Sequence, residues 1–495
     1  QIHTHEYLSK ESAMFDYIKS MFSREVGALS ANQLWYPFND PTTPSLGSLI
    51  SPKIPPKKLN FQVFGYKKGN FKKGSKDHQA SCCVETMCRT VELSQRNIKS
   101  FRKPLDKWAA TKSLIVKPRA GNDFNAWYDR KSLSFFYDQD SKTKKMIFTA
   151  DSVDIIAHEA GHAILDAMRP DFWSVPALEI WSFHEAFADI IAILTLMESD
   201  EVLEHALKET DGDLGKDNVI SKLAEEMGSA IFNLTGGKGG YSHAYLRKAN
   251  NTFKYQDPRN LPKQAPNNKL AAECHSFGRV FLGVWYEIMV RIFNHLKQNK
   301  SDIESLKEAR DVMSLYLFKA IPRTPRTSKY YQAIAKSMMD VDRQAGSPYG
   351  KIMRKVFEGR KILTQEVKML SKDNEGLNWK DFKKGVEPED NVFKHKDGLT
   401  YISKSNHVVK LSDYVVSGLS GDNPLFDVEI ELAQDGLYEF DKSGNLIEEI
   451  VPNGTEAMDD AVFCLNVIQD ENLINKAWDS MWEVKSGKLE RIYMQ

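Results

Sequence analysis

Two stretches of this chain bring together residue types that can hold a metal ion and put it to use. His158-Glu159-Ala160-Gly161-His162 sets two imidazoles four residues apart. On a helix they lie one turn apart on a single face, so both can reach one ion. Glu159 falls beside the first of them, close enough to take a proton from a water held at that ion. Apolar neighbours (Ile155, Ile156, Ala157, Ala163, Ile164, Leu165) imply a buried helix, and buried histidines need partners. Further on, His184-Glu185-Ala186-Phe187-Ala188-Asp189 supplies two carboxylates one turn apart. A catalytic zinc takes three protein ligands and keeps a fourth position open. Glu185 is placed to be the third ligand if the two helices pack together. Asp189 can then accept the free N–H of a ligand histidine and fix its tautomer. His184 is expected at the surface or behind the ligands, with no metal role.

The elements that must position these residues are legible from periodicity. Asp151 or Ser152 can cap a helix running through Met168, which Arg169-Pro170 ends. A second helix is expected over 179–198, with Phe183, Phe187, Ile190, Ile191 and Leu194 at helical spacing. A glycine-rich loop follows at 236–240, and another helix over 274–296. Upstream the chain leans to β structure, with strands expected at 61–66, 113–117 and 132–137. Residues 37–60 are proline-rich and expected to be irregular, behind a helical N-terminal stretch. After about residue 370, short β-leaning pieces such as 399–403 and 428–432 suggest a separate α+β unit. The division expected is therefore 1–60 helical and irregular, 61–170 a β-rich lobe with the metal helix, 171–368 a helical lobe, and 369–495 a C-terminal unit.

The bulk properties exclude some classes. Lys plus Arg and Asp plus Glu both number 67 in 495 residues, so the basic footprint of a nucleic-acid binder is missing. No apolar run of roughly 18 or more residues occurs, which argues against a membrane span. Five cysteines, Cys82, Cys83, Cys88, Cys274 and Cys464, match neither a zinc ribbon nor a repeated disulfide framework, and reduced thiols are expected. No charged-then-apolar leader follows Gln1, and the compartment stays open, as does the oligomeric state.

With both halves of the metal pattern in view, the sequence resembles the thermolysin-like metallopeptidases, in which His-Glu-x-x-His is followed by Glu-x-x-x-Asp on the next core helix. The likeness extends over about 110–365 and implies an α+β fold of two lobes, β-rich then helical, meeting at a zinc site. It also implies roles for other residues. Asn125-Ala126-Trp127-Tyr128 looks like the family's edge strand, where the Asn side chain and the Ala carbonyl bind the substrate backbone. Arg247 resembles the arginine that hydrogen-bonds the substrate carbonyl, and His275, opening a helix, the histidine that donates to the tetrahedral intermediate. There are departures. Leu270 stands where the family has an Asp orienting that histidine, with Glu273 the candidate substitute. The family's tyrosine donor has no clear counterpart, with Trp173 near its place. No calcium-binding acidic clusters are recognisable, so calcium is left open.

The resemblance thus implies one zinc ion, a protein or peptide substrate, and a base at Glu159. Two rival classes stand beside it: a zinc-bearing interaction protein that has lost turnover, and a chain whose main role lies in the C-terminal unit.

Overall fold

The computed structural model describes residues 58–236 apart from 68–70 and 73, then 245–363, and most of 374–493 with short breaks, chiefly 386–390, 414–424 and 471–481. Ahead of these it describes β1 (Gln33–Trp35) and β2 (Ser48–Ile50), an antiparallel pair. The helical N-terminal stretch and most of the proline-rich segment expected before residue 60 lie outside the described residues, as do residues 237–244 of the glycine loop.

The fold is mixed α+β. A four-stranded sheet is built from β3 (Asn60–Val63), β4 (Ser113–Lys117), β5 (Ala126–Tyr128) and β6 (Ser132–Phe135), in the order β3-β4-β6-β5. β5 runs antiparallel to β6, with Trp127 opposite Ser134, and forms one edge. The strand expected at 132–137 is broken at Phe136, whose N–H turns to Asn125 O and Thr149 Oγ1, and resumes as β7 (Tyr137–Gln139), paired with β8 (Met146–Phe148).

Between β3 and β4 lies the largest departure from expectation. Residues 76–99 form a long helix, α1 (Lys76–Lys99), inside the segment read as β-rich. Ser75 caps it, accepting from His78 N–H. The segment is rich in Cys, Thr and Val, which favour strands slightly, but its buried face, from Cys83 and Met87 to Val91 and Ile98, recurs at helical spacing.

Helix α2 (Val153–Met168) carries the first metal motif. Asp154 sits in its first turn, where the helix dipole favours a negative charge. It ends at Arg169, since a residue before proline is pushed out of helical conformation. Helix α3 (Leu178–Leu196) is buried along its whole length, the pattern of a central core helix. After α4 (Asp200–Thr210) and α5 (Glu225–Thr235), whose approaches pair as β9 (Lys222–Leu223) and β10 (Arg247–Lys248), helix α6 (Cys274–Leu296) packs on the other side of α3. Helices α7 (Asp302–Ala320), α8 (Tyr330–Gln344) and α9 (Gly350–Gly359) complete the helical part.

Two glycines set how closely these helices meet. A Cβ at Gly161 would stand 2.7 Å from Ala188 Cα, and one at Gly278 would stand 2.9 Å from Ser182 O and 3.2 Å from Glu185 Cβ. Only glycine allows α2 and α6 to approach α3 so closely, on either side of Glu185.

The C-terminal part contains two four-stranded sheets and helix α11 (Glu456–Asp470), preceded by the short helix α10 (Trp379–Phe382). One sheet has β13 (Val408–Lys410), β14 (Glu429–Glu431), β18 (Lys488–Arg491) and β17 (Trp482–Lys485). The other has β11 (Val392–His395), β12 (Gly398–Ser403), β15 (Gly436–Asp441) and β16 (Leu446–Ile450). This part is docked on the core. Its apolar cluster, with Leu465, Trp482 and Leu489, includes Leu178 and Trp181 of α3 and Ala272.

Candidate functional site

The ligand set read from the sequence converges. His158 Nε2 lies 3.1 Å from His162 Nε2 and 3.5 Å from Glu185 Oε2, and His162 Nε2 lies 3.6 Å from Glu185 Oε1. Donors about 2.1 Å from a tetrahedral ion stand roughly 3.4 Å apart, so these three side chains could hold one ion. All three side chains are buried. The donor set of two imidazoles and a carboxylate suits zinc or a related divalent transition metal.

Asp189 sits where expected. Its Oδ1 lies 2.8 Å from His158 Nδ1 and accepts from Arg247 Nε at 2.9 Å. With Nε2 directed at the ion position, His158 donates from Nδ1, so Asp189 fixes its tautomer. Arg247 Nη2 comes within 3.2 Å of the same ring nitrogen. Burial and Arg247 work against protonation of His158, but hydrogen bonds to Asp189 and Glu185 outweigh them and bring its pKa up to about 9. A metal must therefore displace a proton here. Burial likewise opposes charge on Glu185, yet His275, His162 and His158 hold it well below the usual carboxylate range.

Glu159 points the same way as His158 into a cleft of about 780 Å³. Its Oε2 has no hydrogen-bond partner among the described residues. Burial raises its pKa to about 8, His158 pulling it down and Glu185 up. A cation at the three-donor position would lower it.

His275 opens α6 and reaches the same place, with Nε2 3.3 Å from Glu185 Oε2. The orienting carboxylate comes from Glu273, which is hydrogen-bonded to His275 Nδ1 and also caps α6 by accepting from His275 N and Ser276 N. Leu270 is buried and takes no part. Burial disfavours the charged ring, but Glu185, Cys274 and Glu273 raise the His275 pKa well above its ordinary value, leaving it a donor.

Asn125 and Ala126 line the cleft at the start of β5, with Phe124 beside them. Asn125 Oδ1 accepts from the Ala126 N–H, and the outer side of β5 has no strand partner among the described residues. The opposite wall is apolar: Leu223, Met227, Ile231 and Leu246, with Ala192 of α3.

Of the two places expected for His184, the structure shows the one behind the ligands. The residue is fully buried, its ring 5.8 Å from that of His162, and neither ring nitrogen has a hydrogen-bond partner among the described residues. Burial, then Arg491, brings its pKa down to about 3, so it is neutral. Trp173, near the place of a missing tyrosine donor, is already engaged: its Nε1 donates to Arg491 O at 2.7 Å. The sequence reading missed Arg491 altogether, because nothing local marks a residue so far along the chain as a neighbour of α3. None of the five cysteines is in a disulfide. Among the described residues no single helix is long and apolar enough to cross a membrane.

Comparison with known family patterns and with curated proteins returns no match. The site's chemistry therefore rests on its own geometry.

Proposed function

We propose that this chain is a zinc-dependent endopeptidase of the thermolysin-like kind, with a β-rich lobe and a helical lobe meeting along α2. The observation that carries this reading is the convergence of His158, His162 and Glu185 at 3.1 to 3.6 Å, with the Glu159 carboxylate beside them in an open cleft. A zinc ion bound there would polarise the scissile carbonyl and make water a usable nucleophile near neutral pH. Glu159 accepts the proton of that water and returns it to the leaving amine. His275, kept protonated and held by Glu273, donates to the negative charge that develops on the carbonyl oxygen, with Arg247 adding positive charge nearby. The free edge of β5 binds the substrate as an added strand, with Asn125 and Ala126 at its start.

The test is cleavage of an unfolded protein by the zinc-loaded chain. Glu159→Gln is expected to keep one zinc per chain and lose about a thousandfold or more in kcat. A chelated sample is expected to be inactive. Retained activity in Glu159→Gln would remove that residue from the base role. The engaged Trp173 indole favours one second reading, a metal-binding interaction protein with weak turnover. Zinc binding without cleavage of any protein would select it.

A further inference from the structure

The cleft has an abrupt end. Its lining runs through Phe124 and Asn125 to Ala126, the first residue of β5, and includes neither Trp127 nor Tyr128. The next residue, Trp127, is half-buried and packs against Tyr493, whose ring lies 5.1 Å from the indole and which is itself only 9% exposed. The approach of that segment is fixed by several contacts. Trp173, packed edge-on against Tyr128 at 5.5 Å, donates its indole N–H to Arg491 O. The Arg491 guanidinium stands 4.9 Å over the Trp181 ring and 4.6 Å over that of Trp482. Side chains alternate faces along a strand, so Trp127 and Tyr128 point to opposite sides of the sheet. A chain that meets the Tyr128 side at residue 491 and Trp127 at residue 493 must pass from one face of β5 to the other at the Trp127–Tyr128 end.

This bears on which part of a substrate fits. A peptide added antiparallel to β5 runs opposite to Asn125–Tyr128, so its amino-side half lies at the Trp127 end and its carboxyl-side half at the open Phe124 end. We propose that residues 491–493 wall off the amino side of the cleft, so that this chain cuts peptides close to their amino end. The proposal rests on the peptidase reading above and on the strand-addition geometry. The wall is fixed in place and is no swinging lid: withdrawing it would pull the half-buried Arg491 guanidinium off a pair of packed indoles and leave the Trp173 N–H unpaired. Tyr493 is a specificity-determining residue, in contact with substrate length and not with the reacting atoms.

The experiment compares kcat/KM on synthetic peptides that share one carboxyl half and carry progressively longer amino halves. A matched series is lengthened on the carboxyl side. In the wild type the rate is expected to fall about tenfold or more as the amino half grows past roughly two residues, and to hold as the carboxyl half grows. Tyr493→Ala is expected to flatten the amino-side series, and Tyr493→Phe, which keeps the ring, to restore the wild-type profile. A wild type indifferent to amino-side length would overturn the proposal. So would a Tyr493→Ala variant that speeds every peptide equally, since that describes an inhibitory lid. If no peptide is cleaved, the peptidase reading fails separately, and the wall is read from binding. Labelled peptides should then bind zinc-loaded wild type more weakly as the amino half grows, and Tyr493→Ala without that trend; equal trends would overturn the wall.

Discussion

At the scale of single residues, the site is a set of buried charges that make sense only together. Glu185 faces three histidines, and Glu159 Oε2 beside them has no hydrogen-bond partner among the described residues. The residue whose role was least evident is Glu273. It holds His275 by its ring nitrogen while capping the same helix through two backbone N–H groups. Glu273→Gln retains one acceptor for the cap but loses one of the negative charges, after that of Glu185, that favour a protonated His275. It is expected to lower kcat/KM by about 10- to 100-fold while the zinc content stays at one per chain. Steady-state kinetics beside metal analysis checks this. Equal loss of metal and activity would show that Glu273 acts only on the fold of the α6 start.

At the scale of elements, three helices side by side place His158, Glu159, His162, Glu185 and His275, with α3 between α2 and α6. The spacing on each helix is local, but the distance between helices is set by Gly161 against Ala188 and Gly278 against Ser182 and Glu185. Gly161→Ala adds a methyl group 2.7 Å from a backbone atom that cannot rotate away. Overpacking of this kind costs about 1–3 kcal/mol. It also spreads the two histidines from Glu185. The expected outcome is a lower midpoint in denaturant together with weaker zinc binding, measured by competition with a chromophoric chelator. A loss of stability with unchanged zinc affinity would show that the helices relax elsewhere.

At the scale of the whole molecule, the C-terminal part is built into the core. Buried Asp460 of α11 belongs to this part, whose apolar cluster takes in Leu178 at the start of α3, where no side chain of the helix's own caps it. Beside it, Glu179 accepts from Tyr255 OH and Tyr331 N. Burial raises the Glu179 pKa to about 7, its hydrogen bonds and Lys329 opposing and Asp257 adding to the rise. Burial and Glu179 raise that of Asp460, against Arg259. The sign follows from linkage. A carboxyl whose folded pKa exceeds its unfolded value contributes fully below the unfolded pKa and loses that contribution as pH rises through the folded one. Stability is therefore expected to fall between about pH 4.5 and 7, by at most roughly 3 kcal/mol for Glu179. Glu179→Gln should remove most of this slope in thermal melts across that range. A variant with the wild-type slope would place the pH dependence elsewhere.

The sequence by itself singled out His158, His162 and Glu185 as a group that could hold one ion, with Glu159 and Asp189 beside them, because a helix turns every 3.6 residues and residues four apart must share a face. It also located α2, α3 and α6 to within two residues, from apolar periodicity and the Arg169-Pro170 stop. It did not give α1, whose residue types lean to strands while its packing makes it a helix. Nor did it separate Glu273 from position 270, since an orienting contact depends on how the chain enters α6. The burial of His184, the engagement of Trp173 and the arrival of Arg491 and Tyr493 were decided only by tertiary structure. The physical reason is the same in each case: Trp173 and Arg491 meet across 318 residues of chain, and no local pattern encodes a contact made by packing two distant segments against one helix.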